Sequence, residues 1–133
     1  MRDLNVRPAA VAGSFYPGSK HHLAEVVDGL LAGVTTHPGA PPKALVVPHA
    51  GYIYSGPVAA SAYAQWRGLE RPVRVVLLGP AHYVGIRGLA LPDADALETP
   101  LGQVRIDPLA ARLGVPVSSA VHALEHSLEV QLP

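Results

Sequence analysis

The sequence predicts an α/β fold, in which a mainly parallel sheet is flanked by helices in three layers. Two apolar segments rich in β-branched residues, 43–48 (KALVVP) and 73–78 (VRVVLL), have the length and composition of buried strands. A helical pattern lies between them, and a strand, a helix and a strand within about 35 residues are typical of a parallel βαβ unit. Residues 1–18 contain two prolines and two glycines, so we expect an irregular N-terminal arm.

Two helices are predicted, one on each side of the first strand. Ser19 is expected to cap the first helix, which ends near Gly33. Ser55 and Pro57 are expected at the start of the second helix, and Gly68 at its end. The apolar face of the first helix would consist of Leu23, Val26, Val27, Leu30, Leu31 and Val34. The buried face of the second would consist of Val58, Ala59, Ala62, Tyr63 and Trp66.

Shorter elements are predicted in the second half of the chain. Asp107 and Pro108 have the residue types of an N-cap and a first helical position, so they open a short helix that ends at Gly114. From His122 onward the pattern predicts a helix with a single apolar row, formed by Leu124, Leu128 and Leu132. Short strands are expected at residues 88–91, 103–106 and 115–117.

Composition and charge exclude several classes of protein. The 133 residues fit one domain or a piece of one, and 49% hydrophobic residues are enough for a packed core. Lys+Arg 10 balance Asp+Glu 10, so a nucleic-acid binder is not expected. The apolar runs are shorter than the about 20 residues of a membrane span, and no signal peptide is recognised. The absence of Cys excludes disulfides and thiolate sites from this chain and fits a cytoplasmic location.

His49 and His82 are the first candidates for a functional site. Each follows a predicted strand closely, and ligands of open α/β sheets bind outside the carboxyl ends of the strands. Neighbouring strands lie about 5 Å apart, so the two imidazoles are expected to face one pocket and to bind one metal ion there. The spacing alone also allows two unrelated loop histidines.

The string HALEH provides a second candidate. His122 and His126 lie four residues apart and would share one face of a helix. The string matches the inverted zinc-protease motif H-x-x-E-H, so a zinc hydrolase that uses these two histidines is a distant alternative. A match of five residues has low specificity. The opposing interpretation is a surface helix on which Glu125 and Glu129 are solvated charges.

Five strings in this chain, taken together and in order, resemble the Memo family, whose prokaryotic members are known as AmmeMemoRadiSam system protein B. The strings cover nearly the whole chain: RPAAVAGSFYP, VPHAGYIYSG, VVLLGPAH, ETPLG and EHSLEVQLP. The resemblance implies a fold related to the class III extradiol (LigB-like) dioxygenases, which hold non-haem Fe(II) with two histidines and a carboxylate. Family members are much longer than this chain, so residues 1–133 are expected to be the N-terminal half of a single Memo-like domain.

The same resemblance implies roles for individual residues. His49 and His82 correspond to the first two metal ligands of the family, while the third lies outside this chain. His126 is expected near the pocket, as an acid–base or hydrogen-bonding residue beside the metal-ligating histidines. We therefore expect His126 to lie closer to His49 than His122 does. The walls of the pocket are expected to include Phe15, Tyr16 and Tyr54.

The function implied by the resemblance is iron-dependent redox or O₂ chemistry, with the reaction itself undefined. The alternative is a non-catalytic protein that binds a peptide or a small molecule in the same pocket. A partner from a radical-SAM system is implied by the family. With only two imidazoles, Fe(II) is expected to be held weakly or lost from this chain. Apolar strands left uncovered are expected to cause self-association.

Overall fold

A small mixed sheet and three α-helices form the main regular structure of residues 3–133, the part of the chain that this computed structural model describes. The strands are β1 (Val6–Arg7), β2 (Ala96–Thr99) and β3 (Gly102–Arg105), in that spatial order. β1 is parallel to β2, and β2 is antiparallel to β3. The helices are α1 (Lys20–Ala32), α2 (Tyr52–Tyr63) and α3 (Ser119–His122). Single 3-10 helices span Ala64–Trp66, Pro108–Leu113 and Glu129–Gln131. The broad α/β class is thereby confirmed.

Helix α1 begins and ends where its sequence predicts. The Ser19 side chain accepts a hydrogen bond from the amide of His22 at 3.3 Å, which satisfies one of the unpaired N–H groups of the first turn. Gly33 is the C-cap. Leu23, on the predicted apolar face, is fully buried. It packs in a core with residues from both ends of the chain: Val11, Tyr16 and Val130.

Helix α2 begins one turn earlier than predicted, at Tyr52 instead of near Ser55, and Pro57 lies inside it. The amide of Tyr52 donates to the carbonyl of Phe15 at 2.7 Å, so the N-terminal arm satisfies a donor of the first turn. The predicted buried face is only partly right, because Val58 is exposed while Ala60 is buried. Gly68 has a φ of +84°, which agrees with its predicted role in closing the helix.

The two predicted core strands are not strands in the described structure. Residues 44–48 and 73–78 have no regular structure; most of 73–78 is exposed, and 44–48 alternates between exposed and half-buried side chains. Val46 is 100% exposed and Val76 is 76% exposed. A strand forms only when a neighbour pairs with its backbone, and local composition cannot supply that neighbour. The described sheet is therefore mixed instead of mainly parallel.

The second half of the chain follows its local signals up to α3. The Asp107 carboxylate accepts from the amide of Leu109 at 2.9 Å, and Gly114 takes the left-handed conformation, as predicted for the two ends of the short helix. Of the three short strands predicted, residues 103–106 largely match β3, whereas Leu91 and Val117 form an isolated bridge. The helix predicted from His122 onward is wrong: α3 ends at His122 and is followed by turns.

The hydropathy of the helices agrees with the absence of long apolar runs in the sequence. Across residues 3–133, no helix has both the length and the apolar character that crossing a bilayer requires.

Candidate metal centre

Three histidines from distant parts of the chain meet at one place. The ring centroids of His49 and His82 are 5.2 Å apart, and those of His82 and His126 are 4.5 Å apart in a nearly parallel stack. The centroid of His126 lies 5.8 Å from that of His49. Each ring offers one nitrogen, and the three nitrogens lie within 4.8 Å of one another. The predicted convergence of His49 and His82 is therefore present, and the structure adds His126 to the pair.

The segment 122–131 holds both histidine loops in place. The Ser127 hydroxyl donates to the carbonyl of Pro80 at 2.8 Å, two residues before His82. The side-chain amide of Gln131 donates to the carbonyl of Pro48 at 3.0 Å, directly before His49. This one segment, which also carries His126, therefore contacts both of the loops that precede the other histidines.

Glu125 contacts the cluster and accepts three backbone N–H groups. Its carboxylate accepts the His82 amide at 2.5 Å, and the His82 ring nitrogen Nδ1 lies 2.8 Å from it. It also receives the amides of His126 at 2.8 Å and Ser127 at 2.9 Å. The side chain is only 5% exposed, so these donors replace water as its partners.

These contacts decide the charge states at the cluster. Burial raises the pKa of the Glu125 carboxyl, but hydrogen bonds from His82, Ser127 and His126 outweigh burial and leave the pKa at about 2. Glu125 is therefore ionised at neutral pH. Burial lowers the pKa of His126, and the neighbouring His82 and His49 lower it further, whereas the Glu125 carboxylate opposes the shift. A neutral His126 keeps a lone pair available for a ligand.

Nδ1 of His126 is buried and has no hydrogen-bond partner among the described residues. Its nearest acidic atom is Oε1 of Glu125, at 3.5 Å, which already accepts the amides of His126 and Ser127. A buried polar atom without a partner is unusual, and a small shift of the ring would bring this nitrogen into hydrogen-bonding distance of that carboxylate.

An open pocket of about 530 Å³ lies against the cluster. Phe15 and Tyr54, both predicted as walls, line it together with His49 and His126. The Phe15 ring lies 4.5 Å from that of His126. Tyr16, also predicted as a wall, does not line this pocket: it is buried below, and its hydroxyl donates to Glu129 at 2.6 Å. The pocket therefore combines imidazoles with aromatic walls, as small-molecule sites often do.

His122 does not belong to the cluster found among residues 3–133. Its Nε2 lies 2.9 Å from the carbonyl of Ala90, and the group of three takes His126 instead. The chain turns after His122, so the helical face that H-x-x-E-H requires is not formed. The geometry therefore does not support a zinc hydrolase that uses His122 and His126.

Sequence reasoning missed the roles of two buried carboxylates. Glu125 and Glu129 are buried, although a surface helix would have left them solvated. Glu129 forms an ion pair with Arg7 and accepts from the amides of Ala10 and Val11 at 2.8 and 3.0 Å. The charge of each residue was visible in the sequence, but its partners come from distant segments, and local periodicity carries no information about them.

Comparison with known proteins finds similarity to one family over nearly the whole chain. The family model for Memo-like proteins matches residues 7–133. A MEMO1 family protein of Aquifex aeolicus is 44% identical over 135 residues, which cover 98% of this chain and 49% of the relative. A MEMO1 family protein of Pyrobaculum arsenaticum is 40% identical over 143 residues, covering 98% of this chain and 51% of the relative.

A third relative, from Aeropyrum pernix, is also a MEMO1 family protein, 40% identical over 151 residues that cover 98% of this chain and 52% of the relative. The chain thus spans about half the length of the curated relatives it matches. Both the family model and the identities extend over nearly the whole sequence, including every histidine of the cluster, and on that evidence the chain belongs to the Memo-like family.

Proposed function

We propose that this chain is the N-terminal half of a LigB-like α/β domain and that His49, His82 and His126 hold a divalent metal ion. The observation that carries the proposal is that one ring nitrogen from each of the three imidazoles lies within 4.8 Å of the others. Neutral imidazole is the form that binds metals, and burial favours it at His126.

The donor set fits iron chemically and nearly fits it geometrically. Imidazole nitrogens suit Fe, Zn, Cu and Ni. Nitrogens bound to one ion at about 2.1 Å lie no more than about 4.2 Å apart. The three nitrogens here lie within 4.8 Å of one another, so the rings need to close by only a fraction of an ångström. With His126 as a third donor, binding to this chain would be tighter than two imidazoles allow.

For the complete domain we infer iron-dependent redox or O₂ chemistry on a small organic molecule or a peptide. Bound Fe(II) would supply a redox-active centre that activates O₂, and the organic molecule would supply the electrons that reduce it. Phe15 and Tyr54 would form aromatic walls that orient the ligand beside His49.

Anaerobic titration calorimetry with Fe(II), and separately with Zn²⁺, tests the metal site. We expect one ion per chain, and we expect His49→Ala, His82→Ala and His126→Ala each to lower the affinity by at least about 10-fold. His22→Ala is the matched control, because His22 is exposed on α1, and it should bind like the wild type. Equal affinities in the wild type and all three cluster variants would refute the site.

The reaction is tested on a protein of the full length of the relatives. After anaerobic loading with Fe(II), oxygen consumption is measured with a series of catechols. Consumption that requires the three histidines supports dioxygenase-like chemistry. Stoichiometric metal without oxygen consumption would favour the alternative, a binding protein that takes a small molecule or a peptide in the same pocket.

A further inference from the structure

One residue that contacts the cluster without lining the pocket is Glu125. Its carboxylate contacts His82 twice, through the backbone amide and through the ring. Through the amides of His126 and Ser127 it also sets the path of the chain that carries His126. A single buried group therefore touches two of the three histidines.

The chemistry of the contact determines which nitrogen of His82 carries the proton. An ionised carboxylate only accepts hydrogen bonds, so the nitrogen 2.8 Å from it must be an N–H. In a neutral imidazole one nitrogen is the donor and the other holds a lone pair. With Nδ1 as the donor, the lone pair is on Nε2. Histidine ligands of metal sites usually donate their other N–H to a carboxylate or a carbonyl in this way.

Glu125 is itself held in place by the backbone around it. Arg7 donates to the carbonyl of Glu125 at 2.6 Å and to that of His122 at 2.9 Å. The guanidinium is mostly buried and pairs with Glu129 as well. The carboxylate is therefore presented on a turn whose backbone is fixed on both sides, which gives the contact with His82 a defined geometry.

We propose that Glu125 is a positioning residue, which holds His82 as the Nδ1–H tautomer and leaves its Nε2 free to bind the ion. The proposal rests on the metal site proposed above and names the residue that prepares this site before the metal arrives. It makes a statement about the metal-free protein, which can be checked independently of metal binding and activity.

The test is nitrogen-15 NMR of the histidine rings in the metal-free protein, at a pH of about 8, where ordinary histidines are neutral. We expect His82 to show a single tautomer with the proton on Nδ1. In Glu125→Ala water replaces the carboxylate, so His82 should shift toward the Nε2–H form that predominates in water. The affinity for Zn²⁺ should fall about 10–100-fold in the same variant.

Glu70→Gln is the control, because Glu70 is exposed and lies outside the segment 122–131. It should leave the His82 tautomer unchanged. If Glu125→Ala also leaves the tautomer as it is in the wild type, Glu125 does not set it and the proposal is overturned.

The wild type alone is decisive should Glu125→Ala fail to fold. An Nε2–H tautomer of His82 in the metal-free wild type refutes the positioning role, even if the chain binds metal. An Nδ1–H tautomer in a chain that binds no metal supports the orientation of His82 by Glu125 and refutes the metal site instead. The two failures are thus distinguishable.

Discussion

Gly79 shows how little space separates the loop before His82 from the segment that carries His126. A Cβ atom at this position would lie 2.7 Å from the Ser127 hydroxyl and 2.9 Å from Cδ2 of Leu128. Ser127 is buried and its hydroxyl is bonded to the carbonyl of Pro80, so it cannot move aside without losing that bond. A glycine is needed here for close approach and not for an unusual φ.

We predict that Gly79→Ala destabilises the fold by about 1–3 kcal/mol, the usual cost of overpacking, and weakens metal binding. Gly56→Ala is the control, since its Cβ would meet the flexible end of Leu30 at 2.9 Å. That variant also gains helix propensity in α2, so its stability should stay within about 1 kcal/mol of the wild type. Urea unfolding measures both. Equal stability of the two variants would contradict the close packing of Gly79 on Ser127.

At the scale of elements, the segment 122–131 is bound to the N-terminal arm through Glu129. Burial raises the pKa of the Glu129 carboxyl, but hydrogen bonds from Tyr16, from two backbone amides and from Arg7 lower it to below its ordinary 4.5. A group whose pKa is lowered by folding stabilises the fold fully above its unfolded pKa. This stabilisation is lost as the pH falls through the pKa that the group has in the folded state.

We therefore predict that Glu129→Gln costs roughly 3–5 kcal/mol at pH 7, because it leaves the mostly buried Arg7 without its counter-charge. The difference in unfolding free energy between wild type and variant should be constant above a pH of about 5 and shrink below 4.5, as Glu129 of the wild type is protonated. Glu70→Gln, at an exposed position, should leave unfolding unchanged at every pH. Urea titrations across pH check this, and a difference that grows in acid would contradict the assignment.

At the scale of the whole molecule, the most conspicuous feature is the apolar side chains that remain in water. Residues 44–48 and 73–78 have the composition of buried strands, but 73–78 is mostly exposed and Val46 of the other segment is fully exposed. Long apolar segments with unpaired backbone groups act as templates for association. The relatives are about twice as long as this chain, and additional chain of that length is a natural cover for such segments.

We predict that the 133-residue chain self-associates in proportion to its concentration, and that Val46→Lys combined with Val76→Lys reduces the association. Leu113→Lys is the control, because Leu113 is also exposed but lies outside both segments. Light scattering over a range of concentrations measures the effect. A wild type that stays monomeric throughout would show that these segments are not association surfaces.

Local sequence determined the parts of this protein that depend on near neighbours. The caps at Ser19 and Asp107 and the glycines that end their helices were predicted correctly, because each bond joins residues two to four positions apart. The meeting of His49 and His82 was also predicted, although the two strands from which it was argued do not form in the described structure. Their role as metal ligands stays a prediction.

Only the tertiary structure decided the rest. It showed that Glu125 and Glu129 are buried, that His126 joins the other two histidines, and that residues 44–48 and 73–78 stay outside the sheet. Each of these depends on partners far away in the chain: Arg7 pairs with Glu129 across 122 positions, and His82 with Glu125 across 43. The residue types of the site could therefore be read from local sequence, and the family resemblance placed His126 near the pocket. The distances between the three rings and the protonation of the site are set by long-range contacts, which periodicity does not encode.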